Sequence, residues 1–264
     1  MPLRRLTGWL VALAYATMGA RKRALARISR AGVLPVVVHA LPASELEKVL
    51  DWLKANGALD KLWLSFDDGW LSVLDCVPVL ERFGVKAKVF IAPGQTERGN
   101  IWTNEAGEYG VPPQVWRTWY PLDEERRTAL LDSLRGDGCK TKRRLLCKEQ
   151  VADLSRHPLF EIENHTWSHI SATHHPVEKV VAEVTRAQKT IEEWTWRPPK
   201  MVAWPFGRGS GELDARMRQI GLTALHTRQG YELPLCRNMA LEGVTFQENL
   251  GRALGAWPRV REML

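Results

Sequence analysis

Cysteine is scarce in this chain: four in 264 residues, at positions 76, 139, 147 and 236, with no CxxC pair. Such spacing excludes a dense disulfide framework and reads as scattered reduced thiols. Long apolar runs are missing too. The apolar stretch Trp9–Ala16 is too short to span a bilayer. The chain shows no internal repeat and no low-complexity linker. Acidic residues are absent from the first 30 positions, which hold Arg4, Arg5, Arg21, Lys22, Arg23, Arg27 and Arg30. Of 37 basic residues, setting these seven aside leaves 30 against 30 acidic ones, so the net charge of +7 resides in the N-terminal arm. A neutral body argues against a nucleic-acid groove across the fold, and a cationic arm argues for contact with anionic phosphate.

Three readings of that arm stand side by side, the plainest being an ordinary surface helix. As an interfacial helix it lies on a membrane, apolar side down, with the basic residues of 21–30 on anionic head groups. As a signal peptide it uses Arg4 and Arg5 as its charged start and Ala14-Tyr15-Ala16 as its cleavage box. The run Arg21-Lys22-Arg23 favours the interfacial helix over the signal peptide, because positive charge beside an apolar segment tends to stay cytoplasmic. The expected location is therefore cytoplasmic and peripheral on the inner face of the membrane, with export as the alternative.

The rest has the composition of an ordinary globular protein, 45% hydrophobic and 25% charged. Strands are predicted at Val36–His39, with Pro35 just before it, and at Leu62–Phe66, Lys86–Ala92, Phe160–Glu163, Met201–Trp204 and Thr223–His226. Helices are predicted from a capping box at Ser44–Glu47 to Gly57, and over Leu71–Phe83 with a kink at Pro78. Two more follow the face Val177, Val180, Val181, Val184, Ile191 and Trp194, and the span 212–220. This alternation predicts an α/β fold with a parallel sheet covered by helices. Residues 93–158 break the rhythm and read as an irregular insertion without a strong apolar pattern of its own. The expected organisation is a basic amphipathic arm at 1–31 and a single domain at 32–264.

Phe66-Asp67-Asp68-Gly69 closes the second predicted strand, and His165-Thr166-Trp167-Ser168-His169 follows the fourth. One Asp and two His supply three protein ligands and leave a position open for water, the composition of a hydrolytic metal site. The second Asp remains to take a proton. Histidines at i and i+4 face one ion if their segment turns helically. An isolated Asp-Asp-Gly would merely cap a helix, and an isolated histidine pair would sit at a surface. Both motifs end strands, however, where α/β folds place their chemistry. Together they point to metal-dependent hydrolysis.

With Trp204-Pro205-Phe206-Gly207 added, the three motifs resemble, in order and spacing, those of the polysaccharide deacetylases (NodB homology domain, carbohydrate esterase family 4). The resemblance spans roughly residues 33–250. It implies a distorted (β/α)7-type barrel, a divalent metal, usually zinc, and removal of N- or O-acetyl groups from sugars. It further implies Asp68, His165 and His169 as metal ligands and Asp67 as general base. The backbone N–H of Phe206 is then the natural donor to the oxyanion.

Two departures stand out. Where the family's third motif usually carries an Arg two residues before the Pro, this chain has Ala203, so Arg208, Arg228 or Arg237 would have to hold the base, or the base is held differently. The late Leu-x-His motif, the usual source of the acid, is represented only by the adjacent pair Leu225-His226, which makes His226 the first candidate. His39, Arg237, Trp204, Pro205 and the Trp116–Tyr120 cluster are candidates for contacting substrate, since aromatic faces suit sugar C–H surfaces. A hydrogen-bonded core histidine is an equal reading of His39, and His174-His175 read as a solvated loop. The expected function is a metal-dependent deacetylase acting on a sugar of a cell-surface polysaccharide, lipopolysaccharide or lipid-linked precursor. The alternatives are a catalytically impaired glycan-binding relative and a hydrolase of a non-sugar amide.

Overall fold

A computed structural model of the chain describes residues 20–135, 142–227, 233, 237–239 and 246–254. Arg4, Arg5, the apolar stretch 9–16, Cys139, Arg228 and Cys236 lie outside the described residues. Helix α1 (Ala20–Ala31) is followed by β1 (Leu34–Val38), α2 (Ala43–Ala55), β2 (Leu62–Phe66), α3 (Ser72–Phe83) and β3 (Ala87–Ile91). Five helices come next: α4 (Pro93–Arg98), α5 (Trp102–Glu108), α6 (Pro113–Trp116), α7 (Glu124–Leu134) and α8 (Lys148–Arg156). Alternation resumes with β4 (Phe160–Asn164), α9 (Val177–Thr195), β5 (Met201–Ala203), α10 (Gly211–Gln219) and β6 (Thr223–Leu225). Last come β7 (Asn238–Met239) and α11 (Phe246–Ala253). The α/β class and the parallel pairing are as the sequence predicts. Among the described residues no helix is long and apolar enough to cross a membrane.

The chain divides into two compact units. The first comprises Met1–Phe66, Ser72–Ala87 and Thr227–Leu264. Its strands run parallel in the order β7-β1-β2. All five residues of β1 are buried, which is why Leu-Pro-Val-Val-Val reads as an unbroken apolar run rather than an alternating one. Pro35 falls inside this strand rather than before it, and the described pairing with β7 covers only Val36 and Val37. Helix α2 buries Leu46, Val49, Leu50 and Leu53, one stripe at helical spacing. The capping box expected at Ser44 does not form: α2 starts at Ala43 behind Pro42, so Ser44 already lies within the first turn, and Glu47 instead meets Arg82 at 2.5 Å. In α1, Ala24 and Ile28 are buried while Lys22, Arg23, Arg27 and Arg30 are exposed.

The second unit comprises Asp67–Leu71 and Lys88–His226. Here β4, β5 and β6 are parallel neighbours, with Asn164 opposite Val202 and Ala203 opposite Leu225. The predicted helix at 177–194 forms as α9 and buries Val180, Val184, Ala187, Ile191 and Trp194. The insertion corrects its sequence reading. It has an apolar centre of its own, in which Trp102, Ala106, Trp119 and Leu131 are buried with Tyr109, Trp116 and Tyr120 packed against them. Trp102, Ala106 and Tyr109 do fall at helical spacing, but α5 has only seven residues and α6 only four, too short for a period to stand out from the sequence. The fully buried Glu105 carboxylate is matched by Arg98, Arg135 and the Tyr109 hydroxyl.

Candidate metal centre

Beyond Phe66 the chain turns at once, with φ of 71° at Asp68 and 73° at Gly69. A Cβ at Gly69 would stand 2.9 Å from Ile91 Cγ2, so both the backbone conformation and the close packing require glycine. The turn sends Asp68 to the same point as two histidines: Asp68 Oδ1 lies 3.2 Å from Nε2 of His165 and 3.2 Å from Nε2 of His169. All three side chains are buried. The helical turn expected for the histidines is absent. They sit on a loop in which Thr166 (φ 65°) and His169 (φ 53°) are left-handed, and this double bend brings the ring centroids to 5.1 Å.

The three residues fit a divalent metal. Two atoms about 2.1 Å from one ion at a tetrahedral angle lie roughly 3.4 Å apart, close to the 3.2 Å between Asp68 Oδ1 and each imidazole. His165 Nδ1 is 2.8 Å from the Ala203 carbonyl, which places its hydrogen on Nδ1 and turns the Nε2 lone pair toward Asp68. Trp70 Nε1 donates to Asp68 Oδ2 at 3.0 Å and orients the carboxylate. Burial pushes the His169 pKa down; the Asp68 carboxylate opposes this, and His165 and Arg127 add to it. A neutral imidazole is the form that binds metal.

This geometry is strained. Left-handed backbone at a non-glycine residue costs about 1–3 kcal/mol, and Asp68, Thr166, His169 and Phe206 all adopt it. Hydrogen bonds hold it in place. Thr166 N donates to Asn164 Oδ1 (2.8 Å), and Asn164 Nδ2 donates to Val184 O (2.9 Å). Ile170 N donates to Thr166 Oγ1 at 3.2 Å and His165 N to Ile91 O at 2.8 Å. The 69–71 turn is clamped by the insertion, since Leu146 N donates to Gly69 O (2.9 Å) and Leu71 N to Arg144 O (2.8 Å).

A family model of polysaccharide deacetylases matches residues 54–225. The chain belongs to the polysaccharide deacetylase family. Solved structures agree in fold. A polysaccharide deacetylase from Bacillus cereus aligns with a TM-score of 0.56 at 15% identity, over 83% of this chain and 67% of its own. The Streptococcus pyogenes deacetylase PplD, in complex with acetate, gives 0.57 at 15% identity over 84% and 97% of the two chains. IcaB from Ammonifex degensii gives 0.54 at 17% over 83% and 96%. At such identities the likeness shows the α/β deacetylase fold that the motifs imply. A comparison with curated proteins found no match.

In this polysaccharide deacetylase, Asp67 is buried beside Asp68. Phe206 lies in the short turn Pro205–Gly207 at φ 59°, its ring centroid 4.8 Å from that of His169. Pro205 is buried. Trp204 is corrected as a sugar platform: its ring is fully buried in the core beside α9 and α10, and its Nε1 donates to Asp214 Oδ1 at 2.9 Å. The second oxygen of Asp214 stands 2.9 Å from His226 Nε2. Asp214 has no motif of its own, and its pairing with His226 emerges only from the fold. The β4–β5–β6 register delivers His165, Trp204 and His226 to one C-terminal sheet edge.

Of the remaining candidates, Arg208 is exposed. In the first unit, His39 follows β1 half-buried, and Arg237 is fully buried, donating to Ser65 Oγ (3.3 Å) and Thr227 Oγ1 (3.1 Å). Trp116 and Tyr120 are half-buried and belong to the insertion's aromatic centre. His174 is exposed, as the sequence reading has it, and His175 is half-buried; both meet Tyr120. The His174 ring packs 5.1 Å from that of Tyr120, and His175 Nε2 lies 2.8 Å from the Tyr120 carbonyl.

Proposed function

We propose that this family member is a metal-dependent deacetylase that hydrolyses the N-acetyl (or O-acetyl) group of a sugar in a cell-surface polysaccharide, lipopolysaccharide or lipid-linked precursor. The observation that carries the reading is the convergence of Asp68 Oδ1 on both histidine Nε2 atoms at 3.2 Å, with a second carboxylate, Asp67, next in the chain. Two imidazoles and one carboxylate suit zinc. A bound zinc would supply a water of lowered pKa and a positive charge against the developing oxyanion. Asp67 takes the proton as the attack proceeds. The Phe206 N–H donates to the oxyanion. His226, oriented by Asp214, returns a proton to the leaving nitrogen or oxygen. The relative from Streptococcus pyogenes was solved with acetate, the product that such a hydrolysis leaves.

The decisive assay is acetate release from N-acetylated amino-sugar oligosaccharides by the zinc-loaded protein. Acetate with a matching free amine supports the reading. Turnover confined to small non-sugar amides would move the substrate elsewhere, and no turnover on either would leave a glycan-binding relative. For location, the exposed Lys22, Arg23, Arg27 and Arg30 of α1 favour a peripheral place on an anionic cytoplasmic membrane face. Salt-sensitive sedimentation with anionic vesicles, absent with neutral ones, is expected; equal binding to both would sink this.

A further inference from the structure

The penultimate residue of the histidine motif, Ser168, is held by two charged side chains. Arg127 on α7 is only 2% exposed, and its Nη2 donates to Ser168 O at 3.1 Å and to Ser168 Oγ at 2.8 Å. Opposite, Glu183 on α9 accepts from Ser168 N at 2.7 Å and from the Ser168 hydroxyl at 2.9 Å. Ser168 thus stands between a guanidinium and a carboxylate, and the next residue is His169. The carbonyl of His169 accepts from Trp102 Nε1 at 3.0 Å, and the Arg127 guanidinium lies 5.0 Å from the centre of that Trp102 ring. The Arg127 Nη1 donates to Leu122 O at 3.3 Å. A guanidinium buried so fully is unfavourable unless its donors are matched. Here two of them are directed at the main chain and hydroxyl of the metal loop. Neither Arg127 nor Trp102 belongs to the Asp-Asp, histidine or Trp-Pro-Phe-Gly motifs.

We propose that Arg127 is a positioning residue of the metal centre: through Ser168, and together with Trp102 through the His169 carbonyl, it holds His169 in the left-handed conformation that carries its Nε2 to Asp68 and His165. The inference rests on the reading of Asp68, His165 and His169 as a metal site. It gives the insertion a role at the metal centre. Its main chain at 144–146 fixes the loop of the first ligand, and Arg127 with Trp102 fixes the loop of the last.

The test is zinc affinity by chelator competition, with thermal melting of the zinc-free protein alongside. Arg127→Met is compared with Arg98→Met, which removes another guanidinium of the same insertion, one bonded to Glu105 at 2.6 and 2.9 Å. Both variants are expected to melt earlier, but only Arg127→Met to weaken zinc, by about 10–100-fold. Trp102→Phe keeps a ring and loses the Nε1 donor, and should weaken zinc by about three- to tenfold. Zinc affinity of folded Arg127→Met within about twofold of wild type, or an equal loss in Arg98→Met, overturns the proposal. If Arg127→Met does not fold, Trp102→Phe and Ser168→Ala decide it by the same measurement, and unchanged affinity in both overturns it. A wild-type protein that binds no zinc overturns the metal reading as well, whereas zinc binding indifferent to Arg127 overturns this inference alone.

Discussion

The two units bury different things. Among the described residues, the first unit buries four polar side chains, those of Ser65, Arg237, Asn238 and Asn249, against seventeen in the second. Strain divides the same way among the described residues: the non-glycine residues of positive φ, Asp68, Thr166, His169, Trp196 and Phe206, all belong to the second unit. Apolar burial is non-directional and scales with area, so it can build a frame but cannot aim a ligand atom. Hydrogen bonds have direction, and in the second unit they keep an unfavourable backbone where the chemistry needs it. Trp196 sharpens the point from the other side. It is left-handed too, yet it is 89% exposed at the end of α9, where the conformation merely terminates a helix.

Several substitutions would break or sharpen this contrast. Asp67→Asn, in the polar unit, is expected to lower kcat by about 10²–10⁴-fold while zinc stays bound; near-normal turnover would take the base role from Asp67. Leu50→Ala, in the apolar unit, should lose about 2–5 kcal/mol of stability in urea unfolding. Zinc affinity of its folded fraction should be unchanged, and a parallel fall would deny that frame and site are separable.

The buried Cys76 of the first unit gives a pH signature. Its thiol is pushed up to about 12, by burial first and the Asp75 charge second. Because folding raises this pKa, the stabilisation is full below the unfolded thiol's pKa and is lost as pH rises through it toward the folded value. Between pH 9 and 10 the unfolding free energy should fall by about 1 kcal/mol, and Cys76→Ala should flatten that slope; an unchanged slope would show that the thiol does not titrate this way. Smallest is Trp196→Gly, expected to raise stability by about 0.5–1 kcal/mol by relieving left-handed strain that serves no site. A loss of stability would mean that this exposed ring contributes more than its backbone conformation costs.

Local features of this protein were legible in the sequence; features assembled across distance were not. The strands at Leu34–Val38 and Leu62–Phe66 announce themselves because a buried parallel strand is a short apolar run. Asp68, His165 and His169 could be read because each motif is contiguous and sits at a strand end. The left-handed φ at Thr166 and His169 could not, since neither residue type demands it. Nor could Asp214 beside His226, or Arg127 beside Ser168, because both pairs are made by tertiary packing over 12 and 41 residues of chain. Trp204 misled for a related reason. A tryptophan in a motif suggests a sugar platform, but its ring is used as core and its N–H to hold Asp214.

The most direct test of the account is a metal count tied to activity. Zinc content and acetate release from an N-acetylated amino-sugar oligosaccharide would be measured on wild type and on Asp68→Ala, before chelation, after it, and after zinc is returned. The account predicts one equivalent of zinc per wild-type chain, with acetate release lost on chelation and restored by zinc, and neither zinc nor acetate in Asp68→Ala. Acetate release that survives chelation, or that persists in Asp68→Ala, would contradict it.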